Sequence, residues 1–229
     1  ATTDIWAMPI KNYPIGDGFL TAQIQNETGK FNLNDLASTA GGDIEQKNKI
    51  LRAKRLFELL RVSPTLVDAL IDWIDQDDVP QPAGAESLYY QSLRPPYRAA
   101  NSPLPGMGDL RLIKGFTLEI IERLSPYVTV FPQEGGVPMN LNTADPIVIQ
   151  TLDPNVTQTM AIEIVQGRPY KTKVDLDRVS SFQEIGRTLR NDYDIKSDYF
   201  SARLAVTVNE TTKASWAVLK RDASKGETT

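Results

Sequence analysis

The spacing of the hydrophobic residues changes twice along the chain, and this order of patterns limits the folds that the chain can adopt. Near the start, Leu20, Ala22 and Ile24 alternate with polar residues, as in a half-buried strand. Residues 45–190 mostly follow the three-and-four spacing of helices, and alternation returns in residues 199–208. Because a sheet must bury its apolar face, the sequence predicts an α+β fold, with an antiparallel sheet interrupted by a large helical insertion.

Residues 15–36 are predicted to form a β-hairpin. Alternation up to Gln25 is followed by NETGK, a string of turn-forming residues, and KFNLN then resumes an extended pattern. We therefore expect the strand before this turn to pair with the segment after it.

Capping residues predict several helix boundaries. Ser63 followed by Pro64 is typical of a helix start, and that helix should end near Asp75. Asn142 is predicted to cap the helix formed by TADPIVIQTL. The strings FNLNDLA and MNLNTAD look alike, and we expect capping chemistry rather than internal repetition to explain the likeness.

The chain contains neither histidine nor cysteine, which excludes most familiar catalytic chemistry. Disulfides, thiolate nucleophiles, Ser-His-Asp triads and histidine-bound zinc cannot form. We therefore predict that the protein is not an enzyme, although a hydrolase that uses only paired carboxylates remains an alternative. A formal net charge of −4 disfavours binding to nucleic acid.

Carboxylates are concentrated in DWIDQDDVPQPAGAESLYY, residues 72–90. With Asp75 as the first position, Asp77 is the third and Glu86 the twelfth, which is part of the spacing of a calcium-binding EF-hand. Pro80 occupies the sixth position, where the EF-hand requires glycine, so only a looser cage of oxygen ligands fits. The spacing alone is compatible with two interpretations of this segment, a calcium site and a solvated loop.

The string LPGMGDL, residues 104–110, resembles the glycine hairpin of helix-hairpin-helix modules, which hold nucleic-acid phosphates on backbone amides. Arg111 and Lys114 follow it. The acidic composition argues against this function, and proline and glycine also make ordinary turns. A nucleic-acid-binding module is therefore the alternative function.

Longer strings extend over nearly the whole chain: WAMP, PIGDGFLTAQIQNETGKFNLNDL, LIDWIDQDDVPQPAGAESLYY, PPYRAANSPL, DLRLIKGFTLEIIERLSPYVTVFP and NLNTADPIVIQTL. Together they resemble the K-type minor pseudopilins of bacterial type II secretion, the GspK family. The blocks from DWID to AESLYY and from IKGFT to YVTVFP are specific, whereas many helix-hairpin-helix-like domains contain NLNTAD. The apolar N-terminal helix of the family is missing from this sequence.

The resemblance implies a pilin-like sheet formed by residues 1–44 and 191–229, with a helical insertion domain at residues 45–190. It also implies a place at the tip of the pseudopilus, where the bulky insertion would stop further subunits from adding. The implied partners are the I-type and J-type minor pseudopilins, with secreted substrates as further candidates and no nucleic acid.

The resemblance implies calcium as well, because the family binds it. The positions that match the acidic block of the family are Asp75, Asp77, Asp78 and Glu86. The expected location is the periplasmic side of the bacterial inner membrane, with anchoring only through the N-terminal helix that this sequence lacks.

Overall fold

The computed structural model describes residues 8–37, 42–222 and 227–228. In chain order, its elements are β1 (Ile10–Ile15), β2 (Gly18–Asn26), β3 (Phe31–Asn32), α1 (Gly42–Leu59), α2 (Leu66–Ile74), α3 (Ser87–Gln91), α4 (Leu118–Leu124), β4 (Val128–Thr129), β5 (Met139–Asn140), α5 (Pro146–Ile149), α6 (Gln158–Gln166), α7 (Gln183–Thr188), β6 (Tyr193–Asp194), β7 (Tyr199–Val208), β8 (Thr211–Asp222) and β9 (Glu227–Thr228). Short 3-10 helices lie at Leu33–Leu36, Met107–Leu112 and Lys173–Arg178.

The main sheet joins the two ends of the chain. Its strand order is β1-β2-β7-β8-β9, and every neighbouring pair is antiparallel. Strands β2 and β7 pair along their length, from Gly18 opposite Val208 to Asn26 opposite Phe200. Helices α1 to α7 all lie between these two strands in the chain, which confirms the predicted α+β fold. The domain boundaries at residues 44 and 190 stay a prediction.

The predicted hairpin across NETGK is wrong. Strand β2 pairs with β1 through a tight turn at Gly16, where φ is +56°, and β3 pairs in parallel with β4. The Asn26 side chain explains the change of direction, because its Oδ1 accepts hydrogen bonds from the Thr28 amide and hydroxyl, both at 2.8 Å. Its amide nitrogen donates to Thr143 at 3.0 Å. The chain therefore leaves the sheet after β2 and enters the helical region.

Apolar faces of the helices meet in one core. Helix α2 is buried from Val67 to Ile74, and its neighbours in the core include the fully buried side chains of Leu56 and Phe57 from α1. Leu33 and Leu36, which precede α1, are also fully buried in this core. Within the described ranges, no helix combines the length and the apolar composition needed to cross a membrane.

Helix α2 confirms one predicted boundary and corrects the other. It ends at Ile74, as predicted, but it begins at Leu66, with Thr65 as the N-cap residue. The predicted cap, Ser63, instead places its hydroxyl 2.8 Å from the Thr65 hydroxyl, and its carbonyl accepts the Leu66 amide at 3.2 Å. A tight turn over residues 63–65 thus replaces the predicted first turn of the helix.

Asn142 is not a helix cap, because Asp145 caps α5. Asn142 is buried, and its Oδ1 accepts the Tyr170 amide at 2.8 Å. Its Nδ2 donates to the carbonyls of Tyr170 at 2.8 Å and Ile195 at 2.9 Å. Asn142 therefore joins three segments that are distant in sequence.

Asn34 makes the same three contacts elsewhere. Its Oδ1 accepts the Leu104 amide at 2.7 Å, and its Nδ2 donates to the carbonyls of Leu104 at 3.1 Å and Val130 at 2.9 Å. We call Asn34 and Asn142 the fork asparagines. The likeness of FNLNDLA and MNLNTAD therefore extends beyond capping to the tertiary structure.

The fork asparagines belong to two regions of similar construction, which we call the first unit (residues 31–130) and the second unit (residues 139–195). Each unit begins with a two-residue strand and ends near the strand that pairs with it in parallel. These pairs are β3 with β4 in the first unit and β5 with β6 in the second. In the first unit, Leu104, which is bonded to Asn34, is followed by a 3-10 helix, the buried Phe116 and α4. In the second unit, Tyr170, which is bonded to Asn142, is followed by a 3-10 helix, the buried Phe182 and α7. The helical region therefore contains the same arrangement twice.

Candidate metal centre

Three carboxylates meet where helix α2 ends and the chain turns toward α3. One oxygen each from Asp75, Asp77 and Glu86 can be chosen so that all three lie within 4.8 Å of one another. Asp75 is the residue after α2, and Glu86 is the residue before α3. The loop between the two helices therefore returns Glu86 to the end of α2, as its spacing in the sequence predicts.

Two of these carboxylates contain buried oxygens without hydrogen bonds. Glu86 is 6% exposed, and neither of its carboxylate oxygens has a hydrogen-bond partner among the described residues. Asp75 is half-buried, and its Oδ1 atom is buried and likewise has no hydrogen-bond partner among the described residues. Buried polar atoms are usually paired, so these oxygens are suited to bind a cation.

The electrostatics agree with this geometry. Burial raises the pKa of Glu86 to about 7, and the nearby carboxylates of Asp72 and Asp75 raise this pKa further. Burial also raises the pKa of Asp75 to about 6, with Asp77 as the next cause. A cation placed among these groups would oppose both effects.

Asp72 holds the loop in place and lies outside the three-carboxylate cluster. It is fully buried, and its two oxygens accept the Gln81 amide at 3.0 and 3.2 Å. A Cβ atom on Gly84 would lie 1.9 Å from Asp72 Oδ2, so this position requires glycine. Lys114 donates to the Gly84 carbonyl at 2.9 Å. Hydrogen bonds therefore hold the loop to Asp72 of α2 and to Lys114.

Asn101 is a candidate ligand that the sequence analysis missed. Its amide donates to the Trp73 carbonyl at 2.9 Å, and its Nδ2 donates to the Asp77 carbonyl at 3.2 Å. Its Oδ1 is buried and has no hydrogen-bond partner among the described residues. No ligand spacing relates it to Asp75, and the only local signal was a polar residue in a proline-rich loop.

Asp78 was included in the sequence-based ligand set, but the structure does not bring it into the three-carboxylate cluster. Its side chain is exposed, whereas Glu86 is buried. Asp78 therefore contributes negative charge near the site, where it raises the pKa of Glu86.

The donor atoms indicate the kind of cation that would fit. Carboxylate and amide oxygens are hard ligands, which favour calcium or magnesium over softer transition metals. The cluster is irregular, because it combines one exposed, one half-buried and one buried carboxylate. Calcium tolerates irregular coordination better than magnesium, which demands near-octahedral geometry.

The string LPGMGDL does not form a hairpin between two helices. Residues Met107–Leu112 form a 3-10 helix, and the preceding helix, α3, ends at Gln91. Lys114, one of the two predicted basic residues, donates to the carbonyls of Ala83 and Gly84 and lies over the Tyr89 ring. This basic residue therefore stabilises the acidic loop.

Comparisons with known proteins decide the family. Residues 29–133 match the family model for type II secretion system (T2SS), protein K. Over 225 residues, the chain is 32% identical to type II secretion system protein K of Aeromonas hydrophila, covering 90% of this chain and 68% of that protein. The chain belongs to the type II secretion system protein K family.

Other relatives agree with this result. Type II secretion system protein K of Pseudomonas aeruginosa is 28% identical over 95% of this chain and 66% of its own length. The chain thus spans about two thirds of the length of these relatives. A chain of the GspK-GspI-GspJ complex from enterotoxigenic Escherichia coli has the same fold, with a TM-score of 0.80 and 22% identity over 98% of this chain and 82% of that chain.

Family membership confirms the resemblance found in the sequence and identifies the chain as a minor pseudopilin of type II secretion. None of these comparisons supports the alternative of a nucleic-acid-binding module. The segment that matches the family model, residues 29–133, coincides closely with the first unit, which contains the carboxylate cluster.

Proposed function

We propose that this chain assembles with I-type and J-type minor pseudopilins at the tip of the pseudopilus, on the periplasmic side of the inner membrane. The similar fold of a chain in the GspK-GspI-GspJ complex supports these partners. The position of the helical region in the chain, between β2 and β7, supports a role in blocking further addition. In this proposal, its bulk would occupy the place where the next subunit would otherwise pack.

Calcium is the proposed cofactor of this assembly. The observation that carries the proposal is the meeting of Asp75, Asp77 and Glu86 with buried, unpaired oxygens on Glu86 and Asp75. Asn101 Oδ1, also buried and unpaired, would supply an amide ligand. A bound calcium ion supplies the positive charge that these oxygens lack, while the residues supply the cage.

The ion would act on structure. Asp75 follows α2 and Glu86 precedes α3, so one cation bound by both would hold the two helices together. An ion that binds only the folded state stabilises it by RT ln(1 + [L]/Kd), about 2.7 kcal/mol at a hundredfold excess over Kd. It would also offset the unfavourable negative charge at the end of α2.

No enzymatic activity is part of this proposal. Without histidine and cysteine, carboxylates are the main candidates for acid or base chemistry, and the clustered ones are assigned to the cation. The proposed work of the protein is binding and assembly. Turnover of a substrate that disappears on changing a single carboxylate would contradict it.

The decisive experiment mixes this chain with the soluble domains of the I-type and J-type minor pseudopilins and measures the mass of the complex by light scattering. A mass equal to one copy of each protein is expected. The same measurement on calcium-free protein tests the cofactor separately. Absence of any complex at high micromolar concentration would contradict the assembly role, whereas calcium-independent assembly would contradict only the role of calcium in assembly.

A further inference from the structure

A groove of about 670 Å³ lies between the main sheet and the first unit, and it shares no lining residue with the carboxylate cluster. Its floor contains Gln23, Arg203 and Trp216, which lie directly opposite one another on β2, β7 and β8. Residues opposite one another in a ladder project from the same face of the sheet. Met107 and Ser125 line the groove from the first unit.

Trp216 gives this groove a flat aromatic wall. Its ring lies 5.3 Å from the ring of Phe131, with an angle of 45° between the planes. Phe131 is half-buried and packs against the core, so it fixes the position of the indole. Trp216 nevertheless remains 55% exposed. A rigid, amphipathic ring with an open surface is well suited to contact a ligand.

The polar side chains of the groove are free to bind. Gln23, Gln25 and Arg203 are exposed, and none of their side chains makes a hydrogen bond or an ion pair with any described residue. Each glutamine offers two donors and an acceptor, and the guanidinium offers five donors. Among the described residues, Arg203 is the only charged one that lines the groove. The lining therefore favours a ligand with many hydroxyl or amide groups and a negative charge.

The strands of the floor pair with one another, β2 with β7 and β7 with β8. On its other side β8 is paired only at Arg221 and Asp222 among the described residues, so an extended peptide added to this edge is the competing occupant. The side chains of the floor offer an aromatic plane, two amides and a guanidinium. These groups match the flat apolar face, the hydroxyls and the acidic substituents of a sugar chain.

We propose that this groove binds a glycan that carries carboxylate groups. One sugar ring stacks on Trp216, while Gln23 and Gln25 hydrogen-bond to its hydroxyl or acetamido groups. Arg203 pairs with a carboxylate, for which its planar guanidinium is suited. The volume of the groove lies within the range of about 300–1,000 Å³ that is usual for ligand sites. The proposal depends on neither the calcium site nor the assembly role.

Calorimetric titration of the chain with two sugars of equal length tests the proposal. The acidic probe is the tetrasaccharide of alternating N-acetylglucosamine and N-acetylmuramic acid, and the neutral probe is the tetrasaccharide of N-acetylglucosamine. The acidic sugar should bind about fivefold tighter or more, because only it pairs with Arg203. Arg203→Met should remove this preference, whereas Lys213→Met, on the opposite face of β8, should preserve it.

The aromatic contact has its own controls. Trp216→Ala should weaken binding of both sugars about tenfold, as expected for the loss of an aromatic anchor, and Trp216→Tyr should retain most of the affinity. Tyr13→Ala removes an aromatic residue that is 60% exposed on β1 and outside the groove, so it should change nothing. Melting curves establish that each variant is folded.

Three results would overturn the proposal. The first is binding of neither sugar at millimolar concentration. The second is sugar binding that Trp216→Ala leaves unchanged. The third is binding of a glutamate-rich peptide, abolished by Trp216→Ala, without binding of either sugar, which would assign the groove to a peptide.

Discussion

The first and second units share a frame but differ in what they add to it. In both, a fork asparagine links the opening strand to the segment before a 3-10 helix. The first unit reaches that segment from α2 through residues 75–103, which include all three clustered carboxylates. The second unit crosses from α6 to Tyr170 through residues 167–169 alone. The acidic loop is therefore an addition to a frame that closes without it.

This difference explains why the loop has electrostatics of its own. The frame is stabilised by apolar burial and by the fork hydrogen bonds, which are present in both units. The carboxylates of the loop repel one another, and the described residues place no donor on the oxygens of Glu86. We expect calcium to change the stability of the loop and to leave the frame largely unaffected.

The largest expected effect tests the shared frame itself. Asn34→Ala and Asn142→Ala each remove three hydrogen bonds and leave buried backbone groups unpaired, so each should lower the free energy of unfolding by about 3 kcal/mol or more. Urea titrations in calcium and in chelator measure the losses. They should be similar for the two variants and independent of calcium. A loss below 1 kcal/mol for either variant would show that the two units do not share this support.

The second-largest expected effect on stability distinguishes the contribution of the loop from that of the frame. In calcium, Glu86→Gln should remove most of the ion's stabilisation, which is about 2.7 kcal/mol at a hundredfold excess over Kd. In chelator, the same variant should be at least as stable as the parent protein, because a buried, repelled charge is gone.

Glu184→Gln, at an exposed position of α7 in the second unit, is the matched control and should have no effect in either condition. Thermal melts of both variants, with calcium and with chelator, give the four comparisons. A calcium increment that survives Glu86→Gln would place the ion elsewhere.

How much of this comparison could be predicted depends on the range of the interactions. Alternation and helical spacing are local, and they predicted β2, β7 and α2. The partner of β3 and the role of Asn142 depend on residues far away in the chain, so no local pattern indicated them. The two strings with Asn-Leu-Asn did carry a signal, but capping explained them equally well until the fork hydrogen bonds were visible.

The candidate site divides in the same way. The spacing of Asp75, Asp77 and Glu86 predicted that they would meet, because a loop between two helices returns the chain to its starting point. The resemblance to the family added Asp78, which lies outside the three-carboxylate cluster. Asn101 approaches through a separate segment that follows α3, and only the tertiary fold brings it to the loop.

A smaller effect concerns pH in calcium-free protein. The pKa of Glu86, about 7 in the folded state, exceeds its usual value of 4.5, so the folded state retains a proton that the unfolded chain releases between these pH values. The stabilisation is fully present below about pH 4.5 and is lost as the pH rises through 7. The loss should be on the order of 1–3 kcal/mol, at 1.36 kcal/mol per pKa unit.

Urea titrations of metal-stripped protein between pH 4.5 and 7.5 measure this slope. Calcium should oppose it, because the ion binds the deprotonated carboxylates and binds more tightly as the pH rises. The slope should become smaller in Glu86→Gln, and Asp75, whose pKa is raised to about 6, should account for what remains. A slope unchanged by that substitution would assign the pH dependence to other groups.

Hydrogen exchange of the two units, with calcium and after its removal, tests the central claim most directly. The account predicts that calcium slows amide exchange in the peptides that contain residues 75–103 and leaves those of residues 160–190 unchanged. Exchange that is identical in both conditions, or that slows equally in both units, would contradict a calcium site confined to the loop that only the first unit possesses.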